Sequence, residues 1–448
     1  MTDTALQDIS ALMPRARNDL AEMVAFRSVH DAAQFPPAEC DRMADWVIGA
    51  FSELGFSDVA AYPTPDGSKA VCGRRQGPPG APTVLLYFHH DVQPPLDDDA
   101  WRTPPWELTE VDGRWYGRGA ADCKGNIAMH LTALRALGDD LGVTVKIVGE
   151  GSEEQGTGGL EAFVPLHADL LRADAILVCD AGNAAVGEPS LTTSLRGLAN
   201  VVVTVETLAG PVHSGMFGGA APDALVALID ILATLHDEHG NTTVRGLDAS
   251  QTWSGADYPA DRFRTDAGVL DGVDLVGTGR VGDLLWARPA LTVLGMDCPP
   301  VVGSSAAIPP TARARLNLRV PPGTDAVEAQ TALIEHLRAV APWHVRISCE
   351  REAAGQPFTG SLSGPAVDAM SAAMKDVYGR DVVRQGQGGS IPLCTVLQQT
   401  FPDAEIMLLG VEEPKCLIHA PNESVDPSEI ENMAAVEAGF LRRFAGRT

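Results

Sequence analysis

Short, uninterrupted apolar runs that stop at ionisable side chains dominate the first half of the chain. Thr83-Val84-Leu85-Leu86-Tyr87-Phe88 runs into His89-His90-Asp91. Val143 to Val148 runs into Gly149-Glu150-Gly151-Ser152-Glu153-Glu154, and Ala175 to Cys179 stops at Asp180. A fourth run, Ile406 to Leu409, lies shortly before His419. Continuous runs of this length suit strands buried on both faces. Helical spacing marks Ala5 to Val29, Arg42 to Gly55, Ile127 to Leu137 and Leu160 to Leu171. Strands alternating with helices predict an α/β sheet covered by helices on both sides. In such sheets ligands collect beyond the carboxyl ends of the strands, which is where these acids and imidazoles fall.

Near residue 190 the texture changes. Ala199 to Val205, Arg313 to Val320 and Val345 to Glu350 read as strands, and Pro222 to His236 and Ala326 to Val340 as helices. This predicts a smaller α+β domain over residues 191–355, inserted into a larger one built from 1–190 and 356–448. Residues 237–300, rich in Gly, Asp and Trp, give no assignable element.

Charge narrows the partners. The chain has 448 residues, 45% of them hydrophobic, and a formal net charge of −26. Such a chain is repelled by a phosphate backbone and by an anionic membrane surface, so neither nucleic acid nor membrane is an expected partner. No apolar run reaches the ~20 residues of a membrane span. Met1-Thr2-Asp3-Thr4 opens no basic-then-apolar leader. Eight scattered cysteines without a CxxC pair fit reduced thiols and a cytoplasmic protein.

Each candidate residue, taken singly, has an ordinary structural reading. His89 and Asp91, two apart on a strand, face the same side, so the carboxylate could fix the imidazole tautomer for metal binding; a lone HxD is more often a polar strand end. Asp122, in Gly117-Arg118-Gly119-Ala120-Ala121-Asp122-Cys123-Lys124-Gly125, could be a helix cap. Glu153 and Glu154 could be a solvated pair, Asp180 another cap, and His419 a surface histidine. As a set, two histidines and several carboxylates at strand ends suit a centre for Zn²⁺ or Mn²⁺, with an adjacent acid to move a proton.

The ordered motifs resemble those of the co-catalytic di-zinc peptidases that include aminoacylase, bacterial carboxypeptidases and carnosinase. They are Phe88 to Pro94, Gly117 to Gly125, Glu150 to Glu154, Asp180, His213-Ser214-Gly215-Met216-Phe217-Gly218-Gly219, Gly388-Gly389-Ser390-Ile391-Pro392 and His419, spanning about residues 80–425. The resemblance implies a mixed-sheet catalytic domain with an inserted lid and dimerisation domain. It implies two divalent ions, Zn²⁺ foremost and Mn²⁺ as the alternative. His89, Asp122 and Asp180 would hold one, and Asp122, Glu154 and His419 the other, with Asp122 bridging and a cis peptide after it. Three carboxylates against two such ions leave a net positive centre able to activate a bridging water. Glu153 would be general base and then acid, with Asp91 behind His89. His213, from a partner subunit, would stabilise the oxyanion. Arg319, Gly389 and Ser390 would bind the substrate carboxylate. Three positions depart from common patterns: His90, Cys123, and Gln387, where related dipeptidases often have Glu.

Within this resemblance the motifs look most like those of dipeptidases, predicting a homodimer that cleaves small peptides. An N-acyl- or N-carbamoyl-amino-acid amidohydrolase with the same centre is the alternative. A non-catalytic metal binder is the third reading, and it leaves Glu153 without a purpose.

Overall fold

The structure, a computed structural model, describes residues 3–139 and 141–446. The chain forms two compact units: residues 1–193, 360–385 and 392–448 make the first, and 194–359 with 386–391 the second.

The first unit is built on a mixed sheet. Its strands run in the order Ser57–Pro63, Lys69–Arg75, Thr144–Glu150, Thr83–His89, Ala175–Cys179, Glu405–Leu409 and Ser190–Leu195, the last carrying the chain into the second unit. The middle four are parallel to one another, and the flanking pairs are antiparallel. Register aligns His89 with Glu150 and Leu409 with Cys179, so the parallel strands finish along one edge. Their side chains alternate as a period of two requires. Val84, Leu86 and Phe88 join a core with helices Asp3–Val24, Lys124–Leu137, Pro365–Tyr378 and Pro427–Phe444, while Leu85 and Tyr87, equally buried, face the other way. The predicted helix over 160–171 is broken into Gly159–Leu166 and Ala168–Leu171, with Pro165 and His167 at the break.

The second unit is an antiparallel sheet in the order Ala290–Asp297, Thr311–Val320, Gly197–Glu206 and Arg346–Gly355. Val201, Val203 and Val205 bury one face against Leu228 and Ile231 of helix Ala224–Ala233 and Leu333 and Leu337 of helix Ala326–Ala339. Both helices start on an aspartate cap: Asp223 accepts from the amides of Leu225 and Val226, and Asp325 from those of Val327 and Glu328.

Residues 386–391 join the second unit, although the sequence places everything from 356 onward with the first domain. Two glycines explain it. A Cβ on Gly386 would lie 2.5 Å from the Trp286 ring, and one on Gly388 2.9 Å from an Arg196 nitrogen. Only a bare backbone docks so closely. The unassignable stretch 237–300 contains helix Ala260–Asp266 and strand Ala290–Asp297, and it gathers Trp253 and Tyr258 around Trp286 at ring distances of 5.4 and 6.1 Å.

Candidate metal centre

Each of the four parallel strands delivers ionisable groups at its carboxyl end. Strand 83–89 ends in His89, strand 144–150 is followed by Glu153 and Glu154, strand 175–179 by Asp180, and strand 405–409 by Glu412 and, further on, His419. Asp122 enters from the loop before helix Lys124–Leu137.

Asp122 lies at the middle of the cluster. Its Oδ1 is 2.8 Å from His89 Nε2, which is also 3.2 Å from Asp180 Oδ1. Its Oδ2 is 3.0 Å from His419 Nε2, which is also 3.0 Å from Glu154 Oε2. The two oxygens of one carboxylate thus face two separate imidazole–carboxylate sets. His89, Asp122 and Glu154 offer ligand atoms within 4.8 Å of one another, as do Asp122, Asp180 and Glu412. Nitrogen and carboxylate donors so arranged fit a pair of divalent cations such as Zn²⁺ or Mn²⁺. His89, Asp180 and the Cys123 thiol form a further group within the same distance. Burial pushes the thiol well above its usual range, and it donates to the Cys179 carbonyl at 3.0 Å.

The electrostatics agree with a cation-seeking cluster. Burial, then the charge of Asp122, raises Glu154 to about 7. Burial and the neighbouring Asp180 hold Glu153 well above the carboxylate range. Burial also acts on Asp122, but hydrogen bonds from His419 and His89 overcome it and keep its carboxyl low. His419 rises to about 11 because Asp122 and Glu154 both accept from it. Its φ of 62° lies in the left-handed region, which histidine enters more readily than most non-glycine residues.

Asp91 sits differently from the HxD reading. The His89 Nδ1 is 3.1 Å from the Asp91 backbone oxygen and 3.5 Å from its carboxylate. That carboxylate instead accepts the amides of Glu153, at 3.2 Å, and Glu154, at 3.1 Å, fixing the loop that presents both acids. The strand ends at His89, so the two-residue alternation of a strand does not carry on to Asp91. The Asp122–Cys123 peptide is cis.

Three supporting residues escaped the motif reading. Fully buried Glu423 accepts the amides of Gly119, Ala121 and Asp122 at 3.0, 3.1 and 3.0 Å and pairs with buried Arg118 at 2.7 Å. It ties the His419 loop to the Asp122 loop. Replacing it by alanine strands a buried guanidinium and three amides, and is expected to cost about 3–5 kcal/mol in denaturant unfolding. A loss under about 1 kcal/mol would assign the pair a surface-like role. Lys124, also buried, donates to the carbonyls of Met23 and Phe26, both at 2.9 Å, where the first helix ends.

The second unit carries the other predicted residues. Arg319 donates to Ser390 Oγ at 3.3 Å, beside Gly389. Arg196, unmarked in the sequence, is buried nearby with Nε unpartnered, and burial followed by the charge of Arg319 lowers it to about 10. Among the described residues no carboxylate pairs with either guanidinium. His213 is exposed on the short strand Val212–His213, paired with Ala307–Ile308. His236 is partly buried with Nε2 3.2 Å from the Leu291 carbonyl, whereas His239 is exposed.

An α/β sheet with a two-cation donor set at its carboxyl edge defines a metal-site protein of the hydrolase type. Residues 85–443 match the model of peptidase family M20/M25/M40, and the chain belongs to that family. It is 46% identical to the cysteinylglycine-S-conjugate dipeptidase of Corynebacterium striatum over 435 residues, covering 95% of each chain. It is 29% identical to the beta-Ala-His dipeptidase of Rattus norvegicus, covering 92% of this chain and 85% of that one. Human carnosine dipeptidase 1 shares the fold, with a TM-score of 0.82 at 23% identity over 99% and 98% of the two chains.

Proposed function

We propose that this protein hydrolyses dipeptides at a centre of two divalent cations, Zn²⁺ or alternatively Mn²⁺. The observation that carries the reading is Asp122, whose two oxygens divide between the His89–Asp180 and His419–Glu154 sets. His89, Asp122 and Asp180 would hold one ion, and Asp122, Glu154 and His419 the other. Such ions, when bound, polarise a peptide carbonyl and make water acidic enough to act near neutral pH. Glu153, outside both sets and pushed up by burial, is the proton carrier: it takes a proton from water and hands it to the leaving amine. Asp91 holds Glu153 in place through its amide. Arg319, Ser390 and the Gly389 backbone receive the substrate carboxylate.

The relatives named as dipeptidases support small peptides as the substrate class. A homodimer is supported by the exposed Val226 and Ile229, on one face of helix 224–233, and by exposed Val293 and Leu294 on strand 290–297. A reducing, cytoplasmic setting is supported by eight free cysteines. Among the described residues no helix is long and apolar enough to cross a membrane.

A substrate panel tests the reading. Chelator-stripped protein, reloaded with Zn²⁺ or Mn²⁺, is expected to cleave Ala-Gly, Cys-Gly and β-Ala-His. N-acetyl-Met and a tripeptide are expected to stay intact. Cleavage of N-acetyl-Met alone would move the assignment to the N-acyl-amino-acid amidohydrolases. Turnover that survives stripping would remove the metal from the mechanism.

A further inference from the structure

Glu412 is the acid at the end of the fourth parallel strand, and the family motifs give it no role. Its carboxylate offers an oxygen within 4.8 Å of ligand oxygens of Asp122 and Asp180. Glu412 is 7% exposed, and its Oε1 is buried without a hydrogen-bond partner. A buried carboxylate oxygen left bare beside two other acids is costly unless a proton or a cation neutralises the charge.

The backbone around Glu412 is built to hold that position. Its carbonyl accepts the Asn183 amide at 2.8 Å, and the residue bridges to Gly182. A Cβ on Gly182 would collide with the Glu412 backbone, so the two loops dock closely. Glu412 is therefore clamped to the segment that carries Asp180.

We propose that Glu412 is a further carboxylate ligand of the cation held by His89, Asp122 and Asp180. This inference rests on the two-cation reading above. It makes the two positions unequal. The Glu412 position has three carboxylates and one imidazole, and the His419 position two carboxylates and one imidazole. The charge balance also changes: Asp122, Asp180, Glu154 and Glu412 supply four negative charges against two divalent ions, a neutral set. An oxygen-rich set favours a hard ion such as Mn²⁺ over softer competitors.

The test is a calorimetric titration of metal-free protein with Mn²⁺ and, separately, Zn²⁺, comparing wild type with Glu412→Gln. Glutamine keeps the shape and one acceptor oxygen but loses the charge. Wild type is expected to bind two ions. In Glu412→Gln one Mn²⁺ site is expected to weaken about 10–100-fold, the range seen when groups supporting a metal are removed, while the other keeps its affinity. Glu412→Asp, which keeps the charge but shortens the reach, is expected to fall between them and covers a Gln variant that does not fold. Thermal melting of the metal-free proteins checks the folding of each. Two unchanged Mn²⁺ affinities in Glu412→Gln would overturn the inference and place Glu412 outside the ligand set. A wild type that binds fewer than two ions would overturn the two-cation reading itself, which the same titration records separately.

Discussion

Glu153→Gln is expected to lower kcat for dipeptide cleavage by about 10²–10⁴-fold, the worth of a placed general acid–base, while both metals stay bound. Glu153 and Glu154 are chain neighbours held by one group, the Asp91 carboxylate, which accepts both amides. Their surroundings separate their roles. Glu154 Oε2 lies 3.0 Å from His419 Nε2, within the donor set, and burial with the Asp122 charge raises it to about 7. Glu153 belongs to neither imidazole set, and burial with the Asp180 charge holds it well above the carboxylate range. A carboxylate made more basic by its surroundings is a better acceptor for a proton from water, and as the acid it keeps that proton until an amine needs it. Glutamine preserves the volume and removes only the basicity. Steady-state kinetics with metal analysis of the same preparation check the outcome. Turnover within about tenfold of wild type would remove Glu153 from proton transfer. Glu154→Gln should do the reverse and release a metal.

The strand framework was legible because the parallel strands are buried on both faces and so appear as unbroken apolar runs. Three of their four terminal groups were legible too, since His89, Glu153 with Glu154, and Asp180 follow their runs closely. Glu412 was not. Gly410 and Val411 separate it from its run, and nothing local distinguishes it from neighbouring Glu413, which instead caps the turn at Pro414 and pairs with Arg114. Glu423, Arg118 and Lys124 were hidden for another reason. A charged residue in a sequence reads as surface, and only the fold shows that each charge meets its partners inside. The second unit's residues were legible by resemblance alone. A histidine on a two-residue strand and an arginine at a strand end carry no local signal. Arg196 likewise carries no local signal, and only the fold places it beside Gly388.

His213→Ala is expected to cost about 10²–10³-fold in kcat, the worth of one oxyanion donor. The ring is set up for that task. Its Nδ1 accepts the Gly215 amide at 3.1 Å, so in the neutral imidazole the proton sits on Nε2, which has no partner among the described residues. The side chain is exposed, so it can reach only a group that comes to it. If that group is a substrate held by a second copy of the chain, two dead variants should repair each other. A heterodimer of Glu153→Ala and His213→Ala contains one site with both defects and one site with neither. Random exchange of subunits makes half of the dimers mixed, so about a quarter of wild-type activity should return in a symmetric dimer. If His213 served its own chain, every site in the mixture would keep a defect and nothing would return. Mass spectrometry of the mixture shows whether exchange took place. Confirmed exchange without recovered activity would place His213 in the service of its own subunit.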